Sequence, residues 1–427
     1  MPGETAETAP AENATSQPEE PEKPAADGEA AKAAEDAAPE PEAPPEKEVR
    51  TVVLSGFGGI NKVKVMRRTE PKPAEGEILV RVKACGLNFL DLMVRQGNLE
   101  NPPKCPAVMG YECAGIVEAL GEGVTGFEVG AHVLALSNLG AWCELVSVPA
   151  KHCFQIPMRM SFEDAAAFPI NFLTAYIMLF EIGNLKKGKS VLVHSAGGGV
   201  GLAVAQLCKT VENVTVFGTA SPHKHDTIKE HFDHLFLSGS DYTAEIRKIS
   251  PSGVDIVLDC LCGDDTNKGI ALLKPMGKYV LYGSSNIVTG ETRSFFSSAK
   301  AWWQVDKVNP VKLYDENKTV GGFQLLRLLY DQNQPELIQE TMATLLDMFA
   351  NDRIKPVIDS CWAFEEVGEA MQKMHDHQNI GKLILDPGMD KTHKTPAETP
   401  DTSDADEVKG QQNEETPPAE AEAAAKE

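Results

Sequence analysis

The stretch His194-Ser195-Ala196-Gly197-Gly198-Gly199-Val200-Gly201 constrains this chain more than any other. An apolar run, Val191-Leu192-Val193, leads into it, and another, Leu202-Ala203-Val204-Ala205-Gln206-Leu207, leads out. Strand-like before and helix-like after, the glycines predict a βα unit whose helix begins inside the turn. The pattern reads Ala196-x-Gly198-x-x-Gly201, with alanine where the common fingerprint has its first glycine. Small residues let the backbone approach a pyrophosphate, and Gly201 lets helix and strand pack closely. The helix N-terminus then offers unpaired N–H groups and its positive dipole end to phosphate. Ala196, Gly198, Gly199, Val200 and Gly201 are therefore expected to hold a dinucleotide.

The next strand end bears on which dinucleotide. NAD binders carry an acidic residue about 20 positions after the glycines, bonded to the ribose 2′-hydroxyl. The corresponding stretch is Gly218-Thr219-Ala220-Ser221-Pro222-His223-Lys224, which has no carboxylate. Ser221 and Lys224 suit a 2′-phosphate, so NADPH is preferred over NADH. Upstream, Gly183 to Ser190 matches the P-loop expression GxxxxGK[ST]. A working P-loop needs a helix after it, and here the strand Val191-Leu192-Val193 follows directly. ATP binding through this string is the rival reading.

Around the turn the chain divides. From Ile78 to about Val133, short β-branched runs are punctuated by Gly110, Gly115, Gly121, Gly123, Gly126 and Gly130, which predicts a barrel-like all-β domain. From about residue 162, strand and helix patterns alternate, which predicts a doubly wound parallel sheet. Ser161, with Glu163 and Asp164 behind it, reads as a helix start. The apolar run Ala165 to Phe180, interrupted by Pro169, reads as one buried helix, too short for a membrane span. From about Val320 to Leu385, helix plus short strand returns.

The net charge of −23 sits mostly at the ends. Residues 1–48 carry 14 acidic residues against three lysines, and 388–427 carry 11 against four. Both lack aromatics and are rich in Pro, Ala and Glu, so they read as disordered acidic tails. The remainder is only mildly acidic, and no nucleic-acid partner is expected. Nine cysteines without a CxxC pair, and no signal-peptide pattern, read as a reducing, cytosolic chain.

Several motifs together give the chain a family likeness. They are Ala84-Cys85-Gly86-Leu87-Asn88-Phe89-Leu90-Asp91, Gly110-Tyr111-Glu112-Cys113-Ala114-Gly115, Pro169 to Tyr176, the glycine turn, and Gly381-Lys382-Leu383. Over residues 50–387 the chain resembles the medium-chain dehydrogenase/reductase superfamily, in its zinc-free quinone oxidoreductase branch. The resemblance implies a GroES-like β-barrel domain, 49–174 and 313–387, with a Rossmann domain, 175–312, inserted in it. It implies a cleft where NADPH passes hydride to a quinone or enone, and a homodimer. Asn88 resembles the asparagine beside the acceptor oxygen; Thr174, Gly283 and Phe323 resemble cofactor contacts; Lys382 resembles a lysine near the cofactor phosphates. The positions of the catalytic zinc ligands are matched by Asn88, Tyr111 and about Ile170, which cannot make a zinc site, so no metal is expected. Met93 and Ser238 stand where the branch often has tyrosines.

The acidic tails and the segment Thr292 to Tyr314 resemble a subfamily associated with cytosol, synaptic vesicles and the mitochondrial outer membrane. In that segment Phe295, Ala299 and Trp302 are spaced i, i+4, i+7, with Phe296 and Trp303 beside them. A lid or dimer contact is one reading, and a peripheral membrane helix is the other. A membrane or protein-interaction module with vestigial activity is thus the alternative to an enzyme.

Overall fold

The computed structural model describes residues 47–288, 290–292 and 308–391. Apart from their innermost residues, the expected tails lie outside these, as do Phe295, Phe296, Trp302 and Trp303. Among the described residues no helix is long and apolar enough to cross a membrane, and all nine cysteines are free.

The N-terminal part is β-rich. Strand β1 (Glu48–Leu54) pairs with β2 (Val63–Thr69) and β4 (Ala107–Val108). Beside it lies a larger sheet built on β3 (Glu77–Leu87), which pairs with β5 (Glu112–Leu120) and β7 (Leu145–Pro149). β6 (His132–Leu136) and β8 (Cys153–Gln155) extend it on one side. The other side comes from the far end of the chain. β15 (Ile358–Ala363) and β16 (Lys382–Asp386) complete the sheet, with Ile384 opposite Gly86. Early and late chain thus share one core, as the split architecture requires.

Between them lies a six-stranded parallel sheet. In chain order its strands are β9 (Ser190–Val193), β10 (Thr215–Ala220), β11 (His234–Leu237), β12 (Val254–Asp259), β13 (Leu273–Leu281) and β14 (Thr319–Gly322). In space they run β11-β10-β9-β12-β13-β14, the doubly wound order. The centres of the inner strands are apolar because helices cover both faces. Val191, Leu192, Val193 and Leu258 are completely buried, each contributing roughly 1.5–3 kcal/mol over an exposed position.

Three expectations need correction. β14 belongs to the parallel sheet, so the chain returns to the first domain after Gly322 and not at residue 313. The apolar run at Ala165 is broken: α2 (Phe162–Ala167), capped by Ser161, ends at Phe168, and Pro169 opens α3 (Pro169–Tyr176). A proline has no N–H to continue the ladder but fits a first helical turn. β1 begins at Glu48, inside the expected tail. The P-loop-like string runs from the wide turn after α3 into β9, so no helix follows it.

Candidate functional site

The order of the parallel sheet reverses between β9 and β12, and ligands of such sheets bind in the crevice outside the strand ends at that point. A cleft of about 560 Å³ lies there, between the parallel sheet and the β-rich domain.

The glycine turn forms its floor. Ser195 has φ 53°, which turns the chain sharply off β9. Gly198 caps α4 (Gly199–Lys209) without a side-chain bond, so the amides of Gly199, Val200 and Gly201 open the helix. Close approach dictates glycine here. A Cβ on Gly201 would lie 2.6 Å from the carbonyl oxygens of both Ser195 and Ala196. A Cβ on Gly199 would lie 2.3 Å from Asn171 Nδ2 on α3. Gly198, Gly199, Val200 and Gly201 all line the cleft. Ala196 does not, which corrects its expected role as a direct contact. It is buried, its N–H donates to the Thr219 carbonyl (2.9 Å), and its methyl packs toward Gly218. Behind the turn, the buried His194 bonds Thr219 Oγ1 through Nδ1 (2.9 Å), and burial lowers its pKa, so it braces the strand ends as a neutral ring.

Ser221 and Lys224 follow the end of β10 and line the same cleft. Lys224 is buried, which draws its pKa down, and its Nζ donates to the Asn379 carbonyl at 2.6 Å. Asn379 Nδ2 donates to the Gly381 carbonyl (2.8 Å), and Gly381 N–H donates to the Gly197 carbonyl (2.9 Å). The late chain is thereby laced to the glycine turn. Thr174 on α3, Gly283 after β13 and Phe323 after β14 line the remaining wall.

The opposite wall begins at Asn88, which caps α1 (Phe89–Gln96). Its N–H donates to Asp91 Oδ2 at 2.8 Å, so Asp91 braces the loop. Burial pushes the Asp91 carboxyl up to about 8, against the opposing pull of the Asn88 amide. An unfolded aspartate releases its proton near pH 4, so between about pH 4 and 8 the folded state holds the extra proton and stability falls as pH rises. Asp91→Asn is expected to flatten this fall; urea midpoints at pH 5 and pH 8 that drop as much as in wild type would contradict it.

The Asn88 amide is held from both sides. Lys382 Nζ donates to Oδ1 at 2.6 Å, and Nδ2 donates to Glu112 Oε1 at 2.8 Å. Glu112 Oε2 accepts from the Ile170 N–H at 2.9 Å, and Lys382 also pairs directly with Glu112. Both charged groups are buried, 3% exposed for Lys382 and 0% for Glu112. Lys382 is therefore engaged by Asn88 and Glu112, a correction to its expected place at the phosphates. Glu112, which the sequence offered only as a member of the Gly110 to Gly115 motif, is the hub. Nothing in the spacing pointed to this, because Asn88 and Lys382 are 294 residues apart. Tyr111 is buried, and burial pushes its phenol up, so it stays neutral. Among the described residues no three His, Cys, Asp or Glu side chains are grouped to hold a metal.

Residues 74–158 match the alcohol dehydrogenase GroES-like domain, and residues 231–385 match the zinc-binding dehydrogenase domain. Over 361 residues the chain is 60% identical to the synaptic vesicle membrane protein VAT-1 homolog-like of Homo sapiens, covering 84% of this chain and 86% of that one. The chain belongs to the VAT-1 family of the medium-chain dehydrogenase/reductase superfamily. It is 45% identical to the synaptic vesicle membrane protein VAT-1 of Tetronarce californica, covering 79% of this chain and 88% of that one. The crystal structure of the human VAT-1 homolog-like protein matches with TM-score 0.72 and 54% identity, over 82% of this chain and 99% of that one. The Escherichia coli quinone oxidoreductase, crystallised with NADPH, matches with TM-score 0.69 and 25% identity, over 79% of this chain and 100% of that one. The fold of this VAT-1 family member is thus that of an oxidoreductase related to quinone oxidoreductases.

Proposed function

We propose that this chain is an NADPH-dependent, zinc-independent reductase of a quinone or enone. The observation that carries the reading is one cleft lined both by a helix N-terminus built for phosphate and by the Asn88–Lys382–Glu112 cluster. The cradle fits the cofactor. The amides of Gly199, Val200 and Gly201 suit the pyrophosphate, and Ser221 and Lys224 suit the 2′-phosphate. NADPH, when bound, supplies the hydride. Asn88 Nδ2 has two hydrogens, one committed to Glu112, and the other serves the acceptor oxygen as negative charge develops there. Leu87, Phe89, Ile170 and Phe323 make the surrounding wall apolar, which strengthens such contacts. An amide, a neutral phenol and an alkyl chain at Asn88, Tyr111 and Ile170 give zinc no ligand set. Met93 lines the cleft and cannot relay a proton, and on this reading water supplies it.

Titration of NADPH, NADH and ATP by fluorescence, followed by NADPH oxidation with 1,2-quinones, 1,4-quinones and enones, tests this. Tighter binding of NADPH than NADH and acceptor-dependent oxidation are expected. ATP binding without NADPH binding overturns the reading; NADPH binding without oxidation selects the vestigial-enzyme alternative. Lys224→Met is expected to weaken NADPH about tenfold, the loss of one charged hydrogen bond, and to leave NADH unchanged. Equal weakening of both would remove Lys224 from the 2′-phosphate site.

A homodimer also belongs to this reading. β14 is the sheet's edge strand; Val311 and Tyr314 are exposed apolar residues just before it in the chain, and the exposed Met276 donates its N–H to the Asn317 carbonyl. Light scattering is expected to give twice the 46.1 kDa chain mass. Peripheral membrane contact, in the cytosol or at vesicles or the mitochondrial outer membrane, is a second reading, supported by the paired aromatics Phe295, Phe296, Trp302 and Trp303 and by the relatives' names. Trp302/Trp303→Ser should lose flotation with liposomes; equal flotation sinks it.

A further inference from the structure

We propose that Lys382 is a built-in cation that takes the place of a metal ion in this cleft, stabilising negative charge on the acceptor oxygen. The inference rests on the reductase reading for what that acceptor is, but not for the charge itself. Asn88 and Ile170 stand where zinc-dependent relatives are expected to hold their metal. In this chain both are tied to one buried ammonium group. Asn88 bonds it through Oδ1 at 2.6 Å, and the Ile170 N–H holds the carboxylate of Glu112, which pairs with it.

Donor accounting leaves the ammonium an open function. A lysine ammonium has three N–H donors. Two are directed to Asn88 Oδ1 and Glu112 Oε1, and Lys382 lines the cleft. Glu112 is engaged by three groups, namely Asn88 Nδ2, the Ile170 N–H and Lys382. It fixes the ammonium in place and sets the face on which Asn88 presents its amide hydrogens. A positive group held in advance, in an apolar pocket, requires little reorganisation when charge appears. In the reduction itself, the hydride's electron pair forms the new C–H bond. The conjugated π pair would move onto oxygen beside Lys382, bound NADPH would become NADP+, and water would supply the proton.

The charge can be read without turnover. The probe is 4-nitrophenol, whose phenolate mimics the developing oxyanion and absorbs differently from the phenol. It is bound to the full-length protein without nucleotide, so that no nicotinamide cation contributes. In wild type the acid dissociation constant of the bound probe is expected to exceed that of the free probe about tenfold or more, the effect of one hydrogen bond to a charged group. Lys382→Met leaves Glu112 buried without its partner, so the decisive variant is the double substitution Lys382→Met/Glu112→Gln, which removes both charges. Its bound probe is expected to lose most of the shift, keeping only what the Asn88 amide contributes, while NADPH binding persists. An unshifted or unbound probe in wild type overturns the proposal without any variant. A shift that survives undiminished in the double variant overturns it as well. Failure of the reductase reading shows separately, as absence of NADPH oxidation by wild type.

Discussion

Gly201→Ala is expected to raise the NADPH dissociation constant about a hundredfold, roughly 3 kcal/mol. The added methyl would lie 2.6 Å from two backbone carbonyl oxygens, those of Ser195 and Ala196. No side-chain rotation relieves a contact with backbone, so the first turn of α4 must move away from the glycine loop. The amides of Gly199, Val200 and Gly201 then no longer converge on one phosphate. The same strain is expected to cost about 1–3 kcal/mol of stability, as overpacking does. Fluorescence titration and urea unfolding measure the two effects separately. A dissociation constant within about threefold of wild type would mean that phosphate is held elsewhere, because the geometry predicts a loss far outside that range.

Lys382→Met is expected to destabilise the protein by about 3–5 kcal/mol, because it leaves the Glu112 carboxylate buried without its cation. Adding Glu112→Gln removes the orphaned charge, and an amide at this position can still accept the Ile170 N–H. The double variant is expected to recover most of the loss, since replacing both members of a buried pair is often nearly neutral. Urea unfolding of wild type, both single variants and the double variant gives the coupling energy directly. Additive single effects would show that Lys382 and Glu112 do not act as a unit, which their buried ion pair contradicts.

The site was legible in the sequence wherever its chemistry is local. The run from Val191 to Leu207 announced strand, turn and helix, and these are β9, the glycine turn and α4. Ser161 was readable as a cap because its partner, the Asp164 N–H, is three residues away. Ser221 and Lys224 could be placed at the cleft by counting from the glycines. Ala196 was misread because the fingerprint marks a position without saying which way it faces. The break at Phe168 was signalled by Pro169 and was hidden by the apolar run around it. β14 was assigned to the wrong domain because a short, glycine-containing strand says nothing about which sheet it joins.

The sequence by itself determined the βα unit, and it placed no carboxylate between Gly218 and Lys224 at the end of β10. Each rests on side-chain type or on spacing within about 25 residues, the scale at which helix and strand periods act. Only the tertiary structure decided what Asn88, Glu112 and Lys382 do. Glu112 opens β5, Asn88 follows β3, and Lys382 opens β16; they meet because β3 pairs with β5 on one side and β16 on the other. Burial then makes the pairing obligatory, since neither charge is stable in that interior alone.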